Sequence, residues 1–162
     1  MSEREITGLV EKLAELLLAG QQHLCTAESC TGGWISKSLT DRSGSSAWFD
    51  CGLVTYSNEA KQSLLGVTAE LLEQHGAVSR AVAEAMVAGA LERCGADAAL
   101  AVTGIAGPDG GTADKPVGTV WFAWQLRGQV PVSHAICFAG DRDSVRHQIV
   151  AEALRGMVQL LG

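Results

Sequence analysis

Apolar residues recur at Ile6, Leu9, Val10, Leu13, Leu16 and Leu17, the spacing of one helical face, and Gly20 follows as a stop. The pattern predicts a helix over residues 5–19. Residues 23–27 alternate weakly and read as a short strand, 33–39 as a helix and 40–46 as a loop. A strand follows over 48–56, where Val54, Thr55 and Tyr56 favour the extended state. Ser57 or Asn58 caps a helix through Leu65; Thr68 caps a short one to residue 75, with Leu71 and Leu72 facing inward and Gly76 ending it. Ser79 opens a longer helix to about residue 94, and its small-residue face with Val82, Ala85, Met86 and Gly89 suits close packing. Residues 97–103 form an apolar run of the kind buried on both faces. Residues 117–125 and 130–138 flank Arg127-Gly128-Gln129 and read as an antiparallel hairpin. By parity Trp121 and Trp124 lie on opposite faces of its first strand, which places one of them at the surface or at an interface. Asp141 caps a last helix to about residue 161.

The length of 162 residues suits one domain, and the 47% hydrophobic content supplies its core. A net charge of −6 without a dense block of Lys or Arg argues against duplex nucleic acid or an anionic membrane as partner. It leaves room for a small phosphate pocket. No apolar run reaches bilayer length, and the charged N-terminus has no signal-peptide pattern. Five cysteines, odd in number and without C-x-x-C pairing, read as buried free thiols of a cytoplasmic protein. Four scattered histidines show no metal-ligand spacing, so no metal is expected.

The densest chemistry lies in Thr26-Ala27-Glu28-Ser29-Cys30-Thr31-Gly32-Gly33, between an apolar run and a helix start. A strand-to-helix turn projects a side chain off the sheet edge and leaves helix N–H groups open to anions. Gly32 and Gly33 let a ligand approach the backbone. Ser29 is thus a candidate nucleophile beside a candidate oxyanion hole, with helix capping as the plainer role. Cys30 is an equally placed rival, and residue chemistry does not separate the two.

Lys61 falls in the first turn of its helix, where the dipole lowers proton affinity, more so if the side chain is buried in a cleft; an exposed lysine pairing with Glu59 or another carboxylate is the alternative. Tyr56, the single tyrosine, ends the preceding strand. Gly44-Ser45-Ser46 offers hydroxyls on a loop, and residues 103–111 form a second glycine-rich stretch after a buried strand, where open α/β sheets bind ligands. That stretch has neither P-loop nor dinucleotide order, and a flexible connection is its other reading. Arg142 and Arg146, four residues apart near a helix start, suit either a phosphate or pairing with Asp141, Asp143 or Glu152.

Six stretches together carry a resemblance: 26–34, 52–61 (Gly-Leu-Val-Thr-Tyr-Ser-Asn-Glu-Ala-Lys), 75–79, 103–111 (Thr-Gly-Ile-Ala-Gly-Pro-Asp-Gly-Gly), 115–121 and 138–142. They closely resemble the CinA C-terminal domain family over nearly the whole chain, and most of all its stand-alone nicotinamide-nucleotide amidohydrolases. The resemblance implies an α/β fold, a three-layer α/β/α sandwich with a mixed central sheet. It implies hydrolysis of the carboxamide of nicotinamide mononucleotide to the acid and ammonia, without cofactor or metal, in pyridine-nucleotide recycling. The family's serine, tyrosine and lysine fall on Ser29, Tyr56 and Lys61. Cys30, Thr31, Gly32, Gly33, Ser46, Thr103, Gly104, Gly107 and Arg142 would shape the substrate pocket, with Arg142 at the 5′-phosphate. The pyrophosphatase-linked N-terminal domain of larger relatives is not expected at this length. A homo-oligomer, a dimer by preference, fits a small site with shared arginines. The competing function is a non-catalytic pyridine-nucleotide sensor or a competence- or damage-associated interaction domain.

Overall fold

The structure, a computed structural model, describes residues 2–162. In chain order the elements are α1 (Glu3–Ala19), β1 (Leu24–Glu28), α2 (Trp34–Thr40), β2 (Phe49–Val54), α3 (Asn58–Leu65), α4 (Ala69–His75), α5 (Arg80–Cys94), β3 (Ala98–Gly104), β4 (Thr119–Leu126), β5 (Val132–Cys137) and α6 (Arg142–Leu161). The helix starts follow from capping. Side chains of Ser57, Thr68, Ser79 and Asp141 accept from Ala60 N, Leu71 N, Val82 N and Ser144 N. The expected loop at 40–46 is shorter, because α2 runs to Thr40 and Ser45–Ala47 close a 3-10 turn. The strand expected over 48–56 keeps only Phe49–Val54; Trp48 turns into the core, and Thr55 and Tyr56 lead toward α3.

The five strands form one sheet in the order β2-β1-β3-β4-β5. β1 runs parallel to β2 and to β3, whereas β3–β4 and β4–β5 are antiparallel, so the sheet is mixed. Helices cover both faces. Alternate side chains of β3 separate two cores: Leu100 and Val102 point to α1, α2 and α6, while Ala99 and Ala101 point to α5 and the ends of α3 and α4. Small residues let α5 lie close to its neighbours. At Gly89 a β-carbon would stand 1.9 Å from the Leu65 carbonyl oxygen, so only glycine allows α5 to meet the end of α3 at this distance.

The coverage on both faces also corrects the expectation for the tryptophans. Trp124 is buried in the α6-side core, where its Nε1 donates to Ala153 O at 2.8 Å. Trp121 is half-buried against the α5-side core. They do point to opposite faces, but each face already carries a helix.

Candidate active site

The chain visits β2 on one side of β1 and then β3 on the other, so the strand order reverses between β1 and β3. The crevice beyond the carboxyl ends at such a point is where open α/β sheets hold ligands. Ser29 leaves β1 at this place, its N–H donating to Val102 O at 3.2 Å, and β3 ends there with Thr103 and Gly104. β2 reaches the same edge and passes through Thr55 and Tyr56 into α3.

Lys61 lies four residues into α3, and its side chain leans back toward the helix start, the direction helical Cβ atoms take. The amine reaches Ser29 Oγ at 3.0 Å, Thr55 O at 2.9 Å and Tyr56 O at 3.1 Å. Lys61 is 1% exposed, and none of these partners carries a charge. Burial therefore pushes its pKa below the ordinary lysine value, and outweighs the opposing influence of Cys30. A neutral amine has two N–H donors and one lone pair. The site offers two carbonyls to the donors and a hydroxyl to the lone pair, so the neutral form satisfies the amine and each of its three partner atoms.

The turn carrying Ser29 is held by a carboxylate. Glu28 is fully buried and accepts from Thr31 Oγ1 at 2.7 Å, Ile35 N at 2.8 Å, Ser36 N at 3.0 Å and Ser36 Oγ at 2.7 Å. It thus occupies the first amides of α2, where the helix dipole favours an anion. Gly32 and Gly33 take φ values of +59° and +102°, a left-handed pair that reverses the chain within two residues. Gly32 N donates back to Ser29 O at 3.1 Å, and Trp34 N to Thr31 O at 3.1 Å. The amides of Cys30, Thr31 and Gly33 meet no acceptor among the described residues.

Ser29, Cys30, Lys61, Thr103 and Gly104 face a cavity of about 240 Å³, and Tyr56 and Arg142 form part of its wall. Arg142 donates from Nη1 to Gly107 O at 2.7 Å, and its Nη2 lies 3.4 Å from the Tyr56 hydroxyl. The Cys30 thiol is buried, and burial raises its pKa to about 11. Thr103 Oγ1 donates to Ala77 O at 2.9 Å, fixing the loop before α5 against the end of β3.

The family model for the CinA C-terminal domain matches residues 6–161. The chain belongs to the CinA C-terminal domain family. It is 51% identical over 159 residues to the nicotinamide-nucleotide amidohydrolase PncC of Escherichia coli (strain K12), covering 98% of this chain and 96% of that protein. It is 52% identical over 155 residues to the protein of the same name from Pseudomonas putida, covering 96% of each. The crystal structure of the competence/damage inducible protein CihA from Agrobacterium tumefaciens superposes with a TM-score of 0.95 at 43% identity, covering 98% of this chain and 96% of that one.

This CinA domain brings some of the expected pocket residues together and separates others. Thr31, Gly32 and Gly33 line a neighbouring cavity of about 460 Å³ with Trp34, Lys37 and Arg146. Gly107 reaches the Ser29 cavity through its carbonyl, by way of Arg142. Ser46 is exposed in the 3-10 turn and does not line that cavity. Tyr56 touches Lys61 with its carbonyl, while the residue as a whole is 62% exposed. Among the described residues neither Arg142 nor Arg146 pairs with a carboxylate; both donate to backbone carbonyls. Sequence reasoning missed Glu28. Its signal was a charged residue inside an otherwise uncharged strand, one position before the candidate nucleophile.

Proposed function

We propose that this CinA domain hydrolyses the carboxamide of nicotinamide mononucleotide, with Ser29 as nucleophile and Lys61 as general base. The observation that carries the reading is the 3.0 Å contact between Ser29 Oγ and a buried amine without a counter-charge. The names of the relatives from Escherichia coli and Pseudomonas putida support the substrate class.

Neutral Lys61 takes the Ser29 proton as Oγ bonds to the carboxamide carbon, and the carbonyl π pair moves onto oxygen. Backbone amides of the Ser29 turn receive that oxyanion. As the intermediate collapses, the C–N bond breaks, the leaving nitrogen takes the proton from Lys61, and ammonia departs. An ester on Ser29 remains. Water then loses a proton to Lys61 and attacks the ester; its breakdown returns the proton to Ser29 Oγ and releases nicotinic acid mononucleotide. Tyr56 contributes through its carbonyl, which helps aim the amine, and through its ring at the cavity wall. Arg142 has guanidinium donors to spare after Gly107 O and Tyr56 Oη, and these answer the substrate phosphate. Cys30 is the weaker nucleophile here because its thiol stays protonated.

The test is incubation of the purified protein with nicotinamide mononucleotide in the absence of added metal, with ammonia and the acid mononucleotide quantified together. Stoichiometric appearance of both is the expected outcome. Tight binding of the mononucleotide without ammonia release would instead identify a sensor and overturn the amidase reading.

A further inference from the structure

Arg146 is a buttress of the Ser29 turn that the reaction above leaves without a task. From α6 its Nε donates to Cys30 O and its Nη2 to Thr31 O, each at 3.1 Å, and its guanidinium lies 5.5 Å from the centre of the Trp34 ring. The two carbonyls are thereby drawn toward the helical layer of α1, α2 and α6. Lys61 approaches the same turn from α3, on the opposite layer.

A trans peptide is planar, and its C=O and N–H point in opposite directions. Where Arg146 draws the Cys30 and Thr31 carbonyls one way, the N–H groups of Thr31 and Gly32 must point the other. Gly32 obeys this, since its N–H is accepted by Ser29 O at 3.1 Å. By the same planarity Thr31 N–H is directed away from Arg146, and it meets no acceptor among the described residues. Glu28 meanwhile holds the first amides of α2, so those of Ile35 and Ser36 are closed to any ligand.

We propose that Arg146 is a positioning residue that sets the Cys30–Thr31 peptide, so that Thr31 N–H receives the oxyanion formed when Ser29 attacks. The inference rests on the amidase reading and deepens it by naming the donor and what aims it. Arginine suits the task because its rigid planar fork presents Nε–H and Nη2–H to the two carbonyls in a fixed geometry, whereas a lysine offers a single nitrogen on a flexible stem.

The experiment compares wild type, Ser29→Ala, Arg146→Met and Arg146→Lys on nicotinamide mononucleotide and on its thioamide analogue. Sulfur accepts hydrogen bonds more weakly than oxygen, so losing an oxyanion donor slows the amide more than the thioamide. A lesion that only loosens the fold slows both alike. Arg146→Met should lower kcat about 100-fold on the amide, with KM changed less than about threefold, and should shrink the amide-to-thioamide rate ratio. Arg146→Lys should fall between, and carries the same comparison if Arg146→Met does not fold. An unchanged rate ratio in the folded variants, at any kcat, overturns the proposal while inactivity of Ser29→Ala leaves the amidase reading standing. Ammonia release surviving in Ser29→Ala removes the amidase reading and this inference with it.

Discussion

Ser29 Oγ and Lys61 Nζ lie 3.0 Å apart although 32 residues separate them in the chain, and the other contacts of the amine are two backbone carbonyls. As the proposed base Lys61 must be neutral to work, and burial lowers its pKa from the ordinary 10.5. Turnover should therefore rise with pH along a limb whose midpoint lies below 10.5, and Lys61→Met should abolish ammonia release at every pH. Stability is linked to the same shift. Between the lowered pKa and 10.5 the unfolded chain binds the proton more readily than the folded one, so folding strengthens as pH rises through this window. Denaturant midpoints of wild type measured against Lys61→Met across the window should show wild type gaining; a constant difference would mean the amine is not desolvated.

The two adjacent candidate nucleophiles are separated by their surroundings. Ser29 faces Lys61, whereas the Cys30 thiol is buried with a pKa of about 11. Ser29→Ala should cost on the order of 10⁴-fold or more in kcat, and Cys30→Ala less than about tenfold. Steady-state ammonia assays on both proteins decide it, and the reverse order would transfer the nucleophile to the thiol.

Glu28 is the anchor of the turn. Replacing it with Ala leaves the amides of Ile35 and Ser36 and the Thr31 hydroxyl without their acceptor, while the Ser36 hydroxyl keeps Thr26 Oγ1 at 2.9 Å. At about 1–3 kcal/mol for each unsatisfied group, the loss is a large part of a domain's stability. Glu28→Gln keeps one acceptor oxygen and should lose less. Urea unfolding of the two variants should rank them in that order below wild type.

A distant glycine reports on the same site. A β-carbon at Gly89 would stand 1.9 Å from Leu65 O, a backbone atom that cannot rotate away. Gly89→Ala must push α3 off α5, and α3 carries Lys61. A stability loss of about 1–3 kcal/mol is expected, together with a lower kcat. Full activity in a destabilised Gly89→Ala protein would mean that α3 re-seats without moving the amine.

Much of the scaffold was legible because its signals are local. Ser57, Thr68, Ser79 and Asp141 each cap the helix they precede, and the uncharged run ending at Thr103 is a central strand. The motif stretches that carried the family resemblance lie where β1, β2 and β3 reach a common edge. What stayed hidden depends on how side chains turn in three dimensions. Nothing in the spacing tells whether the tyrosine ring or the tyrosine carbonyl meets Lys61, or that Arg146 engages carbonyls rather than an anion. Residues 29–33 are contiguous, yet Ser29 and Cys30 line one cavity and Thr31, Gly32 and Gly33 another. The tryptophans misled for a similar reason: parity gives the face of a strand but not whether a helix covers it.

The Ser29 turn is gripped from both helical layers, by Lys61 of α3 and by Arg146 of α6. It therefore behaves as a rivet through the sandwich, and its geometry registers any slippage of one layer past the other. A shear too small to expose the core is enough to stretch a 3.0 Å contact beyond proton-transfer range. On the proposed mechanism, chemical competence in such an architecture would be lost before cohesion, and the catalytic rate would be a finer gauge of the native state than an unfolding curve.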